Sequence, residues 1–172
     1  MSDASQEIVA YKNPIGRVLY FSSRMAAILG GLIMTALVIM VVVSVLGRWL
    51  ISSPIYGDFE MVEMGTAISV MLFLPYCHMN RGNVIVDLFM AWAPKWAQLF
   101  FDIVGSIALA VIAGMLSWRM IYGGLEMVEY NETTYILALP LWWAFPFAVV
   151  SFALLCACAI YTAVHDSIRM FR

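Results

Sequence analysis

Residues 25–46 read MAAILGGLIMTALVIMVVVSVL, a run with no charge, no side-chain amide and no proline. About 20 apolar residues in a helix, rising about 1.5 Å each, cross the roughly 30 Å of hydrocarbon in a bilayer. The run is long enough for that crossing. Its continuity differs from the alternating pattern of a membrane barrel strand. Lys12, Arg17 and Arg24 precede it, as basic residues precede a secretory signal. The run exceeds a usual signal core, however, and Gly47-Arg48-Trp49 is not a small-residue cleavage site. It reads as a retained first span.

Working outward, three further runs have the same character. Residues 61–79 form a second span with Glu63 near its start, and residues 98–118 a third with Asp102 near its start. Residues 136–163 form an uncharged fourth span containing Pro140 and Pro146. The whole chain is 64% hydrophobic and 12% charged, against about 25% charged in a soluble domain. The reading is an all-α integral membrane protein with four transmembrane helices. Basic residues set its direction. Lys12, Arg17, Arg24, Arg81, Lys95, Arg169 and Arg172 fall in the two termini and the second loop, while only Arg48 and Arg119 fall in the first and third loops. Both ends are therefore expected in the cytoplasm. Residues 1–24 form a cytoplasmic segment, 25–163 the membrane domain, and 164–172 a cytoplasmic tail.

The second loop is almost wholly apolar yet too short to cross. On a helix over 83–92, Asn80, Asn83, Asp87 and Ala91 fall in one narrow stripe. That pattern suits a short interfacial helix between the second and third spans, with Pro94 then opening the third. Ser106, Ala110 and Gly114 in the third span, and Ala27, Gly31 and Thr35 in the first, recur every four residues. Such small residues allow helices to approach closely in lipid. Trp49, Tyr56, Trp142, Trp143 and Phe145 at the outer border, and Trp92 and Trp96 at the inner one, read as aromatic belts. Asp58, Glu60, Glu63, Glu126, Glu129 and Glu132 make the outer side acidic. They are either solvated loop charge or a docking surface for a periplasmic partner.

Chemistry is harder to find. A transporter working alone carries costly polar groups at the bilayer midplane, and the middle of every span here is bare. Nine Lys and Arg against eleven Asp and Glu do not make a nucleic-acid surface. Cys77, Cys156 and Cys158 lie in apolar segments away from the outer face, which argues against a quinone-linked thiol oxidase. A small multidrug exporter requires an acid in the first span, and there is none. His78 and His165 both fall at inner helix ends, where a haem between helices is one reading and ordinary interfacial histidines the other.

Gly47-Arg48 with the stretch Ser53 to Glu63, the stretch Arg81 to Leu88, and the stretch Leu139 to Pro146 together resemble the DctQ family, the small membrane subunit of tripartite ATP-independent periplasmic (TRAP) transporters. Gly47-Arg48 and Ser53-Pro54-Ile55-Tyr56-Gly57-Asp58-Phe59-Glu60-Met61-Val62-Glu63 are similar to the family's entry to the second span. Arg81-Gly82-Asn83-Val84-Ile85-Val86-Asp87 is similar to a family segment with histidine where Asn83 stands. Leu139-Pro140-Leu141-Trp142-Trp143-Ala144-Phe145-Pro146 is close to the family's start of the fourth span. The resemblance extends over residues 15–168.

It implies a bacterial inner-membrane subunit that is not an enzyme and holds no cofactor. A soluble periplasmic binding protein delivers an organic acid. A large membrane subunit carries the substrate and sodium sites and moves by an elevator motion, beside which this subunit is a static scaffold. Residues for subunit contact or structural pairing are then Arg48, Glu60, Glu63, Asp87, Pro140 and Trp142. Glu60 and Glu63 would pair with basic groups on the large subunit or with Arg48, and Asp87 would anchor the interfacial helix. A homo-oligomeric tetraspan scaffold or channel, and a haem-bearing redox subunit, are the competing readings.

Overall fold

The computed structural model describes residues 14–52, 55–80 and 95–170. Four helices in it are long and apolar enough to cross a membrane: α1 (Pro14–Ile51), α2 (Asp58–Met79), α3 (Lys95–Glu129) and α4 (Ala144–Met170). A single 3₁₀ turn, Leu141–Trp143, precedes α4. No strand occurs among the described residues beyond an isolated bridge between Thr133 and Pro140. Residues 83–92, with Asp87 and the expected interfacial helix, lie outside the described residues.

Partner residues fix how the helices run. Tyr20 meets Tyr76 and Ser44 meets Asp58, so α1 and α2 are antiparallel. Ser151 bonds Met71 and His78 bonds Thr162, so α4 runs parallel to α2. Ser117 bonds Val149 and Cys156 bonds Ala110, so α3 is antiparallel to α4. The main packing is α1 on α2, α2 on α4 and α4 on α3. The spatial order is thus α1–α2–α4–α3, an open row and not a closed bundle. One end of the row, the connection end, carries the α1–α2 and α3–α4 connections. The other holds the start of α1 and the end of α4.

The main buried cluster is Ala113 of α3 with Ala148, Phe152 and Leu155 of α4; Leu109, Met120, Cys156 and Met71 of α2 pack around it. In lipid the apolar effect gives helices no reason to associate, so close contact and interhelical hydrogen bonds must do it. Both occur here. Gly30 lets α1 approach α2 to where a Cβ would stand 3.1 Å from the Ser69 carbonyl oxygen and 3.2 Å from Leu72. Gly123 and Gly124 receive the ring of Phe145 in the same way.

Of the two small-residue stripes, that in α3 lies in the α3–α4 contact. Ser106 is buried, the Ala110 carbonyl accepts the Cys156 thiol at 3.3 Å, and Gly114 faces Cys156. The α1 stripe does not pack this way. Open space surrounds Gly31, and the exposed Thr35 hydroxyl folds back to the Gly31 carbonyl. Gly30, one position along, is the glycine that packs.

Pro75 is fully buried inside α2. Proline has no amide hydrogen, so the carbonyl four residues earlier, that of Met71, loses its helical partner. In a membrane interior an unsatisfied carbonyl is costly. The Ser151 hydroxyl of α4 donates to that Met71 oxygen, joining α2 and α4 at mid-depth.

The fourth helix starts later than residue 136, the start predicted from sequence. Residues 136–140 are irregular, Ala138 has φ 50°, and Pro140 caps the 3₁₀ turn from an extended conformation. The residue before a proline avoids the helical region, and the amides of Ile136 and Leu137 are drawn to Glu60. An apolar composition alone does not reveal either constraint.

Candidate functional site

The connection end is built around the first turn of α2. Gly57 caps that helix at φ 75°, in the left-handed region that glycine enters without penalty. Its carbonyl accepts the Met61 amide at 3.1 Å. The Leu137 side chain sits directly on it: a Cβ at position 57 would lie 2.6 Å from Leu137 Cδ1. Two acids follow in the first turn, Asp58 and Glu60, where the amino-terminal end of a helix dipole favours negative charge.

Asp58 fastens the first connection. Ser44 Oγ donates to its Oδ2 at 2.7 Å, the Ile55 amide donates to Ser44 Oγ at 3.3 Å, and Arg48 stands 3.8 Å from the same carboxylate. Arg48 was expected beside Glu60 or Glu63. Three residues before the end of α1, it is opposite the start of α2 and reaches Asp58 instead.

Glu60 fastens the second connection. Its Oε1 accepts the Ile136 amide at 2.6 Å and its Oε2 the Leu137 amide at 2.9 Å. Bonds from amides to a carboxylate are stronger than those to neutral acceptors. The connection is closed further by the Thr134 amide on the Leu139 carbonyl at 2.9 Å and the Leu139 amide on Thr134 Oγ1 at 3.1 Å. The Leu141 amide bonds the Glu132 carbonyl at 3.1 Å. Pro140 belongs to this fold-back through its bridge with Thr133. Trp142 follows half-exposed, edge-on to Trp143. It lines an apolar groove with Met120, Gly124, Leu125 and Phe145.

Glu63 differs from the other two acids of α2. It is exposed, and it has no hydrogen-bond or ionic partner among the described residues. Glu126, Glu129 and Glu132 are exposed as well.

At the opposite end, His78 Nε2 lies 2.9 Å from Thr162 Oγ1, and His165 Nδ1 lies 3.8 Å from the buried Asp166. Each histidine thus has a neighbour in or beside α4. No group of three His, Cys, Asp or Glu side chains suited to a metal occurs among the described residues.

The chemistry available is therefore adhesive. The carboxylates of Asp58 and Glu60 bind a hydroxyl, one arginine and two backbone amides, and no charged side chain occupies the middle of a described span. Of the alternatives read from sequence for Glu60, Arg48 is not its partner, and the parts played by Pro75, Ser151, Ser44 and Gly57 are not read from sequence. For Pro75 a signal was present, since a proline within a span leaves a carbonyl to be satisfied by a neighbour.

Comparison with curated proteins and with solved structures gives no match. A family model does match, over residues 37–169, and its description is "Tripartite ATP-independent periplasmic transporters, DctQ component". The match takes in the last 15 residues of α1, all of α2 and α3, and α4 up to its penultimate residue. With four helices long and apolar enough to cross a membrane and this match over more than half of its length, the chain belongs to the DctQ family, the small membrane component of TRAP transporters, and is a transporter component and not an enzyme.

Proposed function

We propose that this chain is the static scaffold of a TRAP-type secondary transporter in the bacterial inner membrane. The connection end faces the periplasm and both termini face the cytoplasm, as the distribution of Lys and Arg favours. A large membrane subunit holds the substrate and sodium sites and carries an organic acid across by an elevator motion. A periplasmic binding protein delivers that acid. The observation that supports this division of labour is the open row of helices, tied by polar bonds at both ends and at mid-depth, with uncharged span centres. Such a row offers a fixed wall for a moving neighbour and no pathway of its own. The exposed acids Glu126, Glu129 and Glu132 at the connection end suit seating of the binding protein, and Asp87 an anchor at the cytoplasmic side.

Affinity purification of the tagged chain from native membranes tests the reading. The expected result is recovery with a larger multi-spanning protein and no Soret absorption. A stable homo-oligomer lacking any larger partner, or a haem spectrum, overturns it.

A further inference from the structure

The row of helices has two unlike faces. One bears a groove of about 680 Å³ between α1 and α4, lined by Phe21, Met25, Leu29, Phe147 and Val150, with Leu72 of α2 among its lining residues. That groove is almost wholly apolar, which suits lipid chains. Glu63 is nine residues from Leu72, and at about 100° per residue it points to the other side of α2. There it falls in line with exposed Phe59, Ala67, Val70 and Leu74, spaced four, four, three and four apart around Glu63. These residues form one continuous open stripe.

Two independent observations set that stripe apart from a lipid-facing one. It carries an acid inside the helix, one to two turns from its start, with no hydrogen-bond or ionic partner among the described residues. It also lies on the least apolar of the four spans, although α2 sits inside the row and not at its edge. A carboxylate on a lipid-facing surface is costly, and intramembrane acids are found paired or facing protein. Glu60, the nearest acid in the sequence, illustrates the internal solution, and Glu63 has no such donor among the described residues.

We infer that the Phe59–Glu63–Ala67–Val70–Leu74 stripe of α2 receives a helix of the large membrane subunit, with Glu63 paired to a Lys or Arg of that helix near the connection end. This rests on the scaffold reading above. Small and β-branched positions at Ala67 and Val70 allow close approach, and the charge pair fixes the register of one helix on the other.

The test co-expresses the chain with the large subunit, carrying a photo-reactive phenylalanine analogue at Val70, at Val111 of α3 or at Ile39 of α1; all three positions are exposed. Cross-linking to the large subunit is expected from Val70 only. In parallel, Glu63→Arg is expected to lower recovery of the large subunit by at least about tenfold, as reversal of an interfacial charge does, and Glu63→Gln less. Because Glu63 is exposed and has no hydrogen-bond or ionic partner among the described residues, yield and elution of the subunit by itself should not change.

A cross-link from Val111 or Ile39 in place of Val70 overturns the inferred surface and leaves the scaffold reading intact. So does recovery within twofold of wild type for Glu63→Arg. If the wild-type chain retains no large subunit at all, the scaffold reading falls and this inference with it.

Discussion

Gly57→Val is expected to destabilise the protein by about 2–5 kcal/mol, seen as a shift of the unfolding midpoint in a denaturing-detergent titration. Two costs combine. A β-branched residue at φ 75° is a backbone outlier of about 1–2 kcal/mol or more. A side chain there also overlaps Leu137, and forced overpacking costs about 1–3 kcal/mol. The Leu137 amide is held by Glu60, so displacing its side chain also strains the amide bonds of Ile136 and Leu137. Hydrogen exchange at those two amides should accelerate in the variant, while exchange at mid-depth in α2 stays slow. Gly57→Ala should show the same pattern with a smaller midpoint shift. Unchanged exchange at residues 136 and 137 would mean that the loop is not seated on α2 as described.

The second large effect is expected at the Pro75–Ser151 pair. Ser151→Ala removes the hydroxyl that satisfies the Met71 carbonyl and leaves that oxygen bare in a low-dielectric interior. The expected loss is about 1–2 kcal/mol. Pro75→Ala restores an amide at position 75, which can donate to Met71 within the helix. In that background Ser151→Ala should cost about half as much or less. The coupling in this double-mutant cycle, on the order of 1 kcal/mol, measures the dependence directly. Equal costs in the two backgrounds would show that Ser151 matters only for packing.

Much of this architecture is legible in the sequence because lipid is an unforgiving solvent. The long apolar runs at residues 25–46, 98–118 and 136–163 have few alternatives to helix, and the structure has helix over the first two and from residue 144 in the third. Lateral order is another matter. Nothing in an apolar helix marks which neighbour it will touch, so the row α1–α2–α4–α3 had to come from contacts such as Ser151 with Met71 and Ser117 with Val149.

The small-residue pattern shows the same limit, since an i, i+4 repeat picks out Gly31 as readily as the Gly30 that packs. The partners of Glu60 within the chain are hidden for a related reason. An acid near a helix start suggests a cation as partner, but its donors are two amides some 76 residues later in the chain. A backbone amide carries no side-chain signature, so such a partner is invisible before folding. The start of the fourth helix moved for the same cause, because that loop is shaped by what Glu60 and Gly57 require.

The central claim is that the hydrocarbon-depth part of this chain is inert and that cargo moves through a companion polypeptide. Sealed vesicles reconstituted with this chain alone, given an inward sodium gradient, the binding protein and labelled organic acid, test it most directly. The account predicts no accumulation above protein-free vesicles, and uptake once the large membrane subunit is added. Accumulation against a gradient by this chain without that subunit would contradict it.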